Sequence, residues 1–332
     1  MDLKVGFIGC GGIAEVHIQV LSKIKEVQLA SFCDMIEERA RLFNSKYAGN
    51  KGKVYSNFEE MFEKEELDIV YICLPPFAHS DEVEIAAEKG IHIFIEKPIA
   101  LNMEKANSMV AAVKKHNVKT QVGFQLRFGT AVEFFKNMVD NGEAGQAGLF
   151  LAKYYCNSLH SPWWRDKSKS GGQVVEQIIH LYDLSRFLIG EPRSVYCLMD
   201  NLFHKDIEGY TSEDVSIALI KFKNKCLGSV SATNFAIPGR WLHELDIITS
   251  NLTIRFTDAN NAVFTKTDRI GNECITISSD KNLYEAVTLD FINAVKNDAL
   301  SRVPIDEGAK SLRFVLSVRR SAEEGREIPI ET

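Results

Sequence analysis

The chain has 332 residues, a length that suits about two domains, and its 45% hydrophobic and 25% charged residues are ordinary for a globular protein. With 39 Lys and Arg against 45 Asp and Glu the formal charge is −6, which argues against the basic face of a nucleic-acid binder and against a polybasic membrane-surface protein. Seven cysteines (10, 33, 73, 156, 197, 226 and 274) form no C-x-x-C pair, a poor framework for disulfides or zinc, so no metal site is expected and a reducing compartment is favoured. No apolar run is long enough to span a membrane. The stretch 5–14 superficially resembles the hydrophobic part of a signal peptide, but Asp2 and four internal glycines fit a different reading, and the expected location is the cytoplasm.

In chain order, residues 3–8 read as a strand, 13–21 as a helix, 27–33 as a strand and 36–47 as a polar helix. A strand at 67–74 is closed by Pro75-Pro76, and a helix at 80–89 precedes a strand at 91–95. A helix follows at 102–116, with apolar Met103, Ala106, Met109, Val110 and Val113, and a strand at 118–124. Near-continuous apolar strands alternating with helices predict a parallel sheet covered on both faces. Beyond about residue 124 the texture changes. A helix at 130–141, a strand at 149–157, a polar loop at 160–170 and a helix at 172–189 lead into strands at 194–203, 214–222, 227–235, 242–249, 252–257, 262–267 and 274–278. Helices at 284–297 and 306–324 close the chain. The division predicts α/β architecture: a parallel-sheet domain over 1–122, and an α+β domain over 123–332 on a large, mostly antiparallel sheet. In the strand 214–222, Val215, Ile217 and Leu219 face one way and Ala218, Ile220 and Phe222 the other. Both faces are apolar, so helices are expected over one and a second subunit over the other, giving a homodimer or homotetramer.

The strongest motif is Gly9-Cys10-Gly11-Gly12-Ile13-Ala14, between a strand and a helix. Gly9 permits a tight turn, Gly11 lets a pyrophosphate approach the backbone, Gly12 and Ile13 open the helix, and Ala14 takes the third small position. Free N–H groups at the helix start then face the phosphates. Asp34 ends the second strand where an acid takes the ribose hydroxyls. Met35-Ile36-Glu37-Glu38 offers no cation for a 2′-phosphate, which favours NAD over NADP, although Arg39 and Arg41 lie near. Glu96-Lys97-Pro98 follows the strand at 91–95, so Lys97 projects from the carboxyl edge of the sheet, where ligands bind; a surface Glu–Lys pair before a turn proline is the plainer alternative. On the helix at 172–189, Glu176 and His180 are four residues apart and share a face, with Asp183 on the adjoining part. A histidine with an orienting carboxylate suits proton transfer to or from a hydroxyl. Val174, Val175, Ile178 and Ile179 leave the helix largely apolar, so its polar stripe is expected to line something.

Taken in order, the glycine fingerprint, Leu74-Pro75-Pro76-Phe77-Ala78-His79, Glu96-Lys97-Pro98, the Gly-Gly…His…Asp helix and the stretch ending Arg320-Ser321-Ala322-Glu323-Glu324-Gly325 resemble the Gfo/Idh/MocA oxidoreductase family across nearly the whole chain. The resemblance implies a Rossmann domain followed by an α+β domain with an open sheet. It implies an NAD(P)-dependent enzyme moving a hydride between nicotinamide and a hydroxyl or carbonyl of a sugar, cyclitol or sugar derivative. It also implies that Lys97 lies beside the nicotinamide ribose and the substrate hydroxyl, and that His180 is the acid/base. The usual carboxylate between them is Asp and here is Glu176, Ser170 stands where a third glycine is frequent, and Ile178 replaces a frequent small residue. Leu74, Pro75, His79 and Glu96 align with the cofactor side; His79 is equally a helix-start histidine packed on the sheet. Arg127 and Asn157 align with substrate-facing segments, and Trp163 either stacks on a sugar face or anchors its loop. The central expectation is that an ammonium and an imidazole about eighty residues apart in sequence meet at one carbinol. Two rivals share the scaffold: an enzyme that retains NAD through the cycle, such as a glycosidase or sugar–sugar oxidoreductase, and a catalytically silent sugar sensor.

Overall fold

The computed structural model describes residues 2–267 and 273–331. The chain divides into two compact units, Met1–Phe124 with Tyr284–Ala309, and Gln125–Leu283 with Lys310–Thr332.

The first unit holds the strands β1 (Leu3–Ile8), β2 (Val27–Cys33), β3 (Lys53–Tyr55), β4 (Ile69–Ile72), β5 (His92–Ile95) and β6 (Thr120–Val122). They form one sheet in the order β3-β2-β1-β4-β5-β6, and every pair is parallel. β4 is buried at all four positions, because helices cover both faces. The helices are α1 (Gly12–Leu21), α2 (Glu37–Ala48), α3 (Phe58–Lys64), α4 (Glu82–Glu88) and α5 (Met103–His116). Asn102 caps α5 by accepting the N–H of Lys105 at 2.9 Å, and Ala106, Met109 and Val113 form its buried stripe. Strand order reverses between β1 and β4, the switch point at which ligands of open parallel sheets bind.

The second unit begins with α6 (Thr130–Asp140) and β7 (Ala147–Tyr155), followed by the short helices α7 (Pro162–Arg165), α8 (Lys167–Ser170) and α9 (Gln173–Glu176), then α10 (Ile179–Leu188). Strands β8 (Pro192–Asp200), β9 (Val215–Phe222), β10 (Leu227–Thr233), β11 (Leu242–Thr249), β12 (Leu252–Phe256), β13 (Ala262–Lys266) and β14 (Cys274–Ile277) follow; after α11 (Leu283–Lys296), which belongs to the first unit, come α12 (Ile305–Glu324) and β15 (Ile328–Pro329). The sheet runs β14-β13-β12-β11-β7-β10-β9-β8-β15. Only the β7–β10 pair is parallel among the described residues, so the sheet is mostly antiparallel, as expected. On β9, Ala218, Ile220 and Phe222 are buried, whereas Ile217 and Leu219 are 53% and 57% exposed.

Four features depart from the sequence reading. β3 and α3 occupy a stretch that carried no assignment, and α7 and α8 occupy the expected polar loop. Helix α11 clusters with the first unit, because Phe291 packs its ring at 6.3 Å from Tyr71 and 6.0 Å from Phe94, over β4 and β5. The segment after it runs beside β6, with the N–H of Val122 donating to Val303 O at 2.8 Å. The single helix expected at 172–189 is instead α9 and α10. Among the described residues, no helix is long and apolar enough to cross a membrane.

Candidate active site

The turn after β1 is built for a close ligand. Gly9 has φ +85°, and a Cβ there would lie 2.5 Å from Cys73 O and 3.2 Å from Leu74 Cδ2, so the residue following β4 presses directly on it. Only glycine fits both demands. Gly11 and Gly12 differ, because a Cβ on either would meet nothing within 4 Å. Gly11 has φ −98°, an ordinary value, so neither backbone conformation nor protein packing calls for glycine there. What the two glycines keep clear is the space before the start of α1, whose N-cap has no side-chain partner. Uncapped N–H groups facing open space suit a pyrophosphate. Ala14 is fully buried and Ile13 half-buried.

Asp34 sits where β2 ends and is 8% exposed. Its Oδ2 accepts the N–H of Cys10 and its Oδ1 that of Ile36, both at 2.8 Å. The carboxylate thus braces the glycine turn while retaining acceptor capacity for ribose hydroxyls. Burial, with Asp34 as a second cause, pushes the Cys10 thiol far above its ordinary value, so it stays neutral and inert. These features fit a dinucleotide, which Gly9, Gly11, Gly12, Ile13 and Asp34 would hold.

Leu74 and Pro75 follow β4 and are half-buried. The side chain of His79 is 1% exposed, and its Nδ1 lies 2.5 Å from Glu82 Oε1, just ahead of α4. Burial opposes ionisation of Glu82, but the hydrogen bond and charge of His79 and the Ser80 N–H outweigh it, holding the carboxyl below its ordinary value. His79 is thus packed ahead of α4, with its Nε2 buried.

Glu96 is 6% exposed, and its Oε1 lies 2.8 Å from Nε2 of His17, a fully buried residue of α1 absent from the sequence-based candidates. The ring of His17 packs 4.6 Å from Phe94 and 5.7 Å from Tyr284. Glu96 Oε2 accepts the main-chain N–H of Lys97 at 3.1 Å. A Cβ on Gly123 would come within 2.6 Å of the Glu96 carboxylate, so the residue after β6 passes against it. Lys97 itself is half-buried and joined to Pro98 by a cis peptide.

In the second unit, Gly171 and Gly172 have φ +84° and +95°. A Cβ on Gly172 would strike the carboxylate of Glu213 at 2.4 Å, and Glu213 Oε1 accepts the N–H of Val174 at 2.8 Å. Burial pushes the Glu213 carboxyl above its ordinary value, against the pull of the Val174 N–H. Glu213 thus seats the start of α9 from the far side of the sheet sequence, 39 residues on. Between α9 and α10 the register slips, with the N–H of Ile178 reaching back to Gln173 O at 3.0 Å and that of Leu181 to Ile178 O at 2.9 Å. Glu176 and His180 therefore do not share one uninterrupted α-helix, and the expected four-residue spacing is corrected. From 171 to 180 every residue is buried except Glu176, which is half-buried; His180 is 8% exposed.

Asp183 is also corrected. Its oxygens take Arg127 Nε at 2.7 Å, Arg127 Nη2 at 2.6 Å and Ser311 Oγ at 2.8 Å, so it does not orient His180. Arg127, expected toward the substrate, is 4% exposed and lies 4.9 Å over the ring of Phe187. Asn157 donates its side-chain amide to Ala236 O at 2.9 Å. Trp163 is half-buried, and its neighbour Trp164 is the residue whose Nε1 donates to Glu176 Oε2, at 2.7 Å. Lys97 lies in the first unit, and Arg127, Asn157, Trp163, Glu176 and His180 in the second.

Residues 3–124 match the family model described as the oxidoreductase family with an NAD-binding Rossmann fold, and residues 132–257 match the GFO/IDH/MocA C-terminal domain. Myo-inositol 2-dehydrogenase of Thermotoga maritima is 25% identical over 335 residues, covering 99% of both chains. Glucose-6-phosphate 3-dehydrogenase of Bacillus subtilis is 26% identical over 79% of this chain and 76% of its own. A levoglucosan dehydrogenase solved with NADH superposes with a TM-score of 0.91 at 20% identity, covering 100% of both chains. With an open phosphate turn, an acid at the end of β2 and both domain matches in order, the chain belongs to the Gfo/Idh/MocA family and is an oxidoreductase with an NAD-binding Rossmann domain.

Proposed function

We propose that this chain is an NAD-dependent dehydrogenase acting on a secondary hydroxyl of a sugar, cyclitol or sugar derivative, or on the corresponding ketone. One observation carries the reading: the glycine-guarded, uncapped start of α1 and the half-buried Lys97 follow β1 and β5, at the carboxyl edge of one parallel sheet. The names of the relatives, which act on myo-inositol and glucose 6-phosphate, support the substrate class. Asp34, with exposed Met35 after it, supports NAD over NADP. Bound NAD would supply the acceptor or donor of the hydride. His180 takes the proton from the hydroxyl oxygen in the oxidative direction and returns it in the reductive one. The Lys97 ammonium stabilises the developing alkoxide. Glu176 orients the group that moves the proton. Arg127, Asn157 and Trp163 are kept as substrate-side residues in this proposal, with Arg127 and Asn157 acting through the segments they brace.

The test is NADH or NADPH formation against inositols, hexoses, hexose phosphates, amino sugars, anhydrosugars and nucleotide sugars, with thermal shifts for both cofactors. NAD raises the melting temperature, and at least one polyol yields NADH. A protein whose melting temperature responds to neither dinucleotide sinks the proposal.

We further propose a homodimer or homotetramer formed through the nine-stranded sheet, working in the reducing cytoplasm. Leu151, Leu198, Ile217, Leu219 and Ile248 leave 39–62% of their surface exposed on β7, β8, β9 and β11, within the run β11-β7-β10-β9-β8 of the sheet. An apolar sheet face of this kind is suited to a second copy. Light scattering gives a mass of two or four chains, and Leu219→Glu with Ile217→Glu shifts it toward one. A wild-type mass of one chain overturns the assembly.

A further inference from the structure

We propose that Trp164 is a positioning residue for the reaction, its indole N–H fixing the carboxylate of Glu176; this rests on the reading of Glu176 as a catalytic group. Indole nitrogen donates and never accepts, so it is matched to a carboxylate oxygen, and the 2.7 Å bond to Oε2 has the length of a charge-assisted one. Glu176 ends α9 where the helical register slips, and the indole bond restricts the rotamers of its side chain. It is also the one residue from 171 to 180 that is not buried, so it can be held from behind by the indole and still meet a ligand.

The indole is itself held on every side. Trp164 is 3% exposed, with the His160 ring 4.1 Å from its own at 35° and the Tyr210 ring 6.2 Å away at 67°. Tyr210 stacks on His204 at 4.5 Å, and its hydroxyl accepts from Asn234 Nδ2 at 2.5 Å. His204 Nδ1 in turn lies 2.8 Å from buried Asp214. The backbone around the tryptophan is tied down as well. Arg165 donates to Leu159 O at 2.8 Å and to His160 O at 3.0 Å, and Ser212 Oγ donates to Trp164 O at 3.1 Å. A rigid aromatic donor backed by satisfied polar groups is how a supporting shell fixes a reacting one. The neighbouring Trp163 is half-buried.

Trp164→Phe keeps a six-membered aromatic ring and removes the N–H together with the rest of the five-membered ring. On the most active polyol of the screen, kcat falls about tenfold, while KM for polyol and for NAD each change less than about twofold. In a Glu176→Gln background the same substitution causes little further loss, because the two act as one unit. A second readout needs no turnover. Among the indole N–H signals of the 15N-tryptophan-labelled protein, the one that disappears in Trp164→Phe moves on Glu176→Ala. An indole signal that ignores Glu176→Ala, an unchanged kcat in Trp164→Phe, or an equal loss in both backgrounds overturns the positioning role. Full activity in Glu176→Gln overturns the role of Glu176 itself, and the proposal with it. If Trp164→Phe melts well below wild type, the comparison of backgrounds still decides, since a packing defect costs the same in each.

Discussion

Lys97→Ala lowers turnover by about 100- to 1,000-fold, the size of a lost electrostatic contact to a developing oxyanion. His180→Ala lowers it by about 100- to 10,000-fold, the range for a positioned acid/base. Both variants bind NAD within a few-fold of wild type, measured by quenching of protein fluorescence. The reason lies in where each group is rooted. The phosphate turn depends on Gly9, Gly11, Gly12 and Asp34, after β1 and β2, whereas Lys97 follows β5. Alanine at 97 keeps the main-chain N–H that Glu96 accepts, so the His17–Glu96 pair and its hold on this peptide survive. His180 stands in the second unit, on α10. A parallel collapse of NAD affinity in both variants would assign them to cofactor binding and leave the proton and the alkoxide without partners. Turnover unchanged in either one removes that residue from the mechanism.

The parallel sheet could be read from the sequence because its strands are apolar at nearly every position, a pattern produced by burial on both faces. Val5, Phe7 and Ile8 of β1 and all of β4 are buried as that pattern demands. The glycine turn was legible for the same kind of reason, since Gly9 answers to a local backbone need. What escaped was set by partners remote in sequence. β3 and α3 span three and seven residues, too few for a period to emerge, and all the exposed residues of Phe58–Lys64 are acidic or basic. The break between α9 and α10 contains no proline or glycine. It goes with Glu213 seating the first turn and with the tertiary packing of a run buried at every position but Glu176, neither of which has a local signature. Spacing on one helix suggested that Asp183 serves His180, but the stronger partner is a guanidinium 56 residues earlier. The tryptophan pair shows the limit most sharply. Trp163 and Trp164 are chemically identical in sequence, and only the fold turns one of them to Glu176.

Arg127→Ala costs about 3–5 kcal/mol of stability, because it strands a buried carboxylate. Asp183 is 1% exposed and would keep only the Ser311 hydroxyl of its present partners Arg127 and Ser311. By the usual size scaling this lowers the melting temperature by roughly 10 °C. The damage does not stay at one contact. Arg186 Nη1 donates to the same Ser311 hydroxyl at 2.8 Å and Arg186 also grips Glu191, so the pair sits in a buried network around α10. Asp183 lies one turn beyond His180 on that helix, and loosening it carries a fall in kcat along with the fall in stability. Arg127→Met combined with Asp183→Leu recovers most of the melting temperature, since removing both charges leaves no ion to desolvate. The same two measurements separate a brace from a substrate ligand. A guanidinium that acts on the substrate gives Arg127→Ala a raised KM at an unchanged melting temperature, and the double variant then rescues nothing. A buried brace gives the opposite pattern, a large thermal loss that the second substitution repairs, and the bidentate geometry at 2.6 and 2.7 Å with both side chains buried favours the brace.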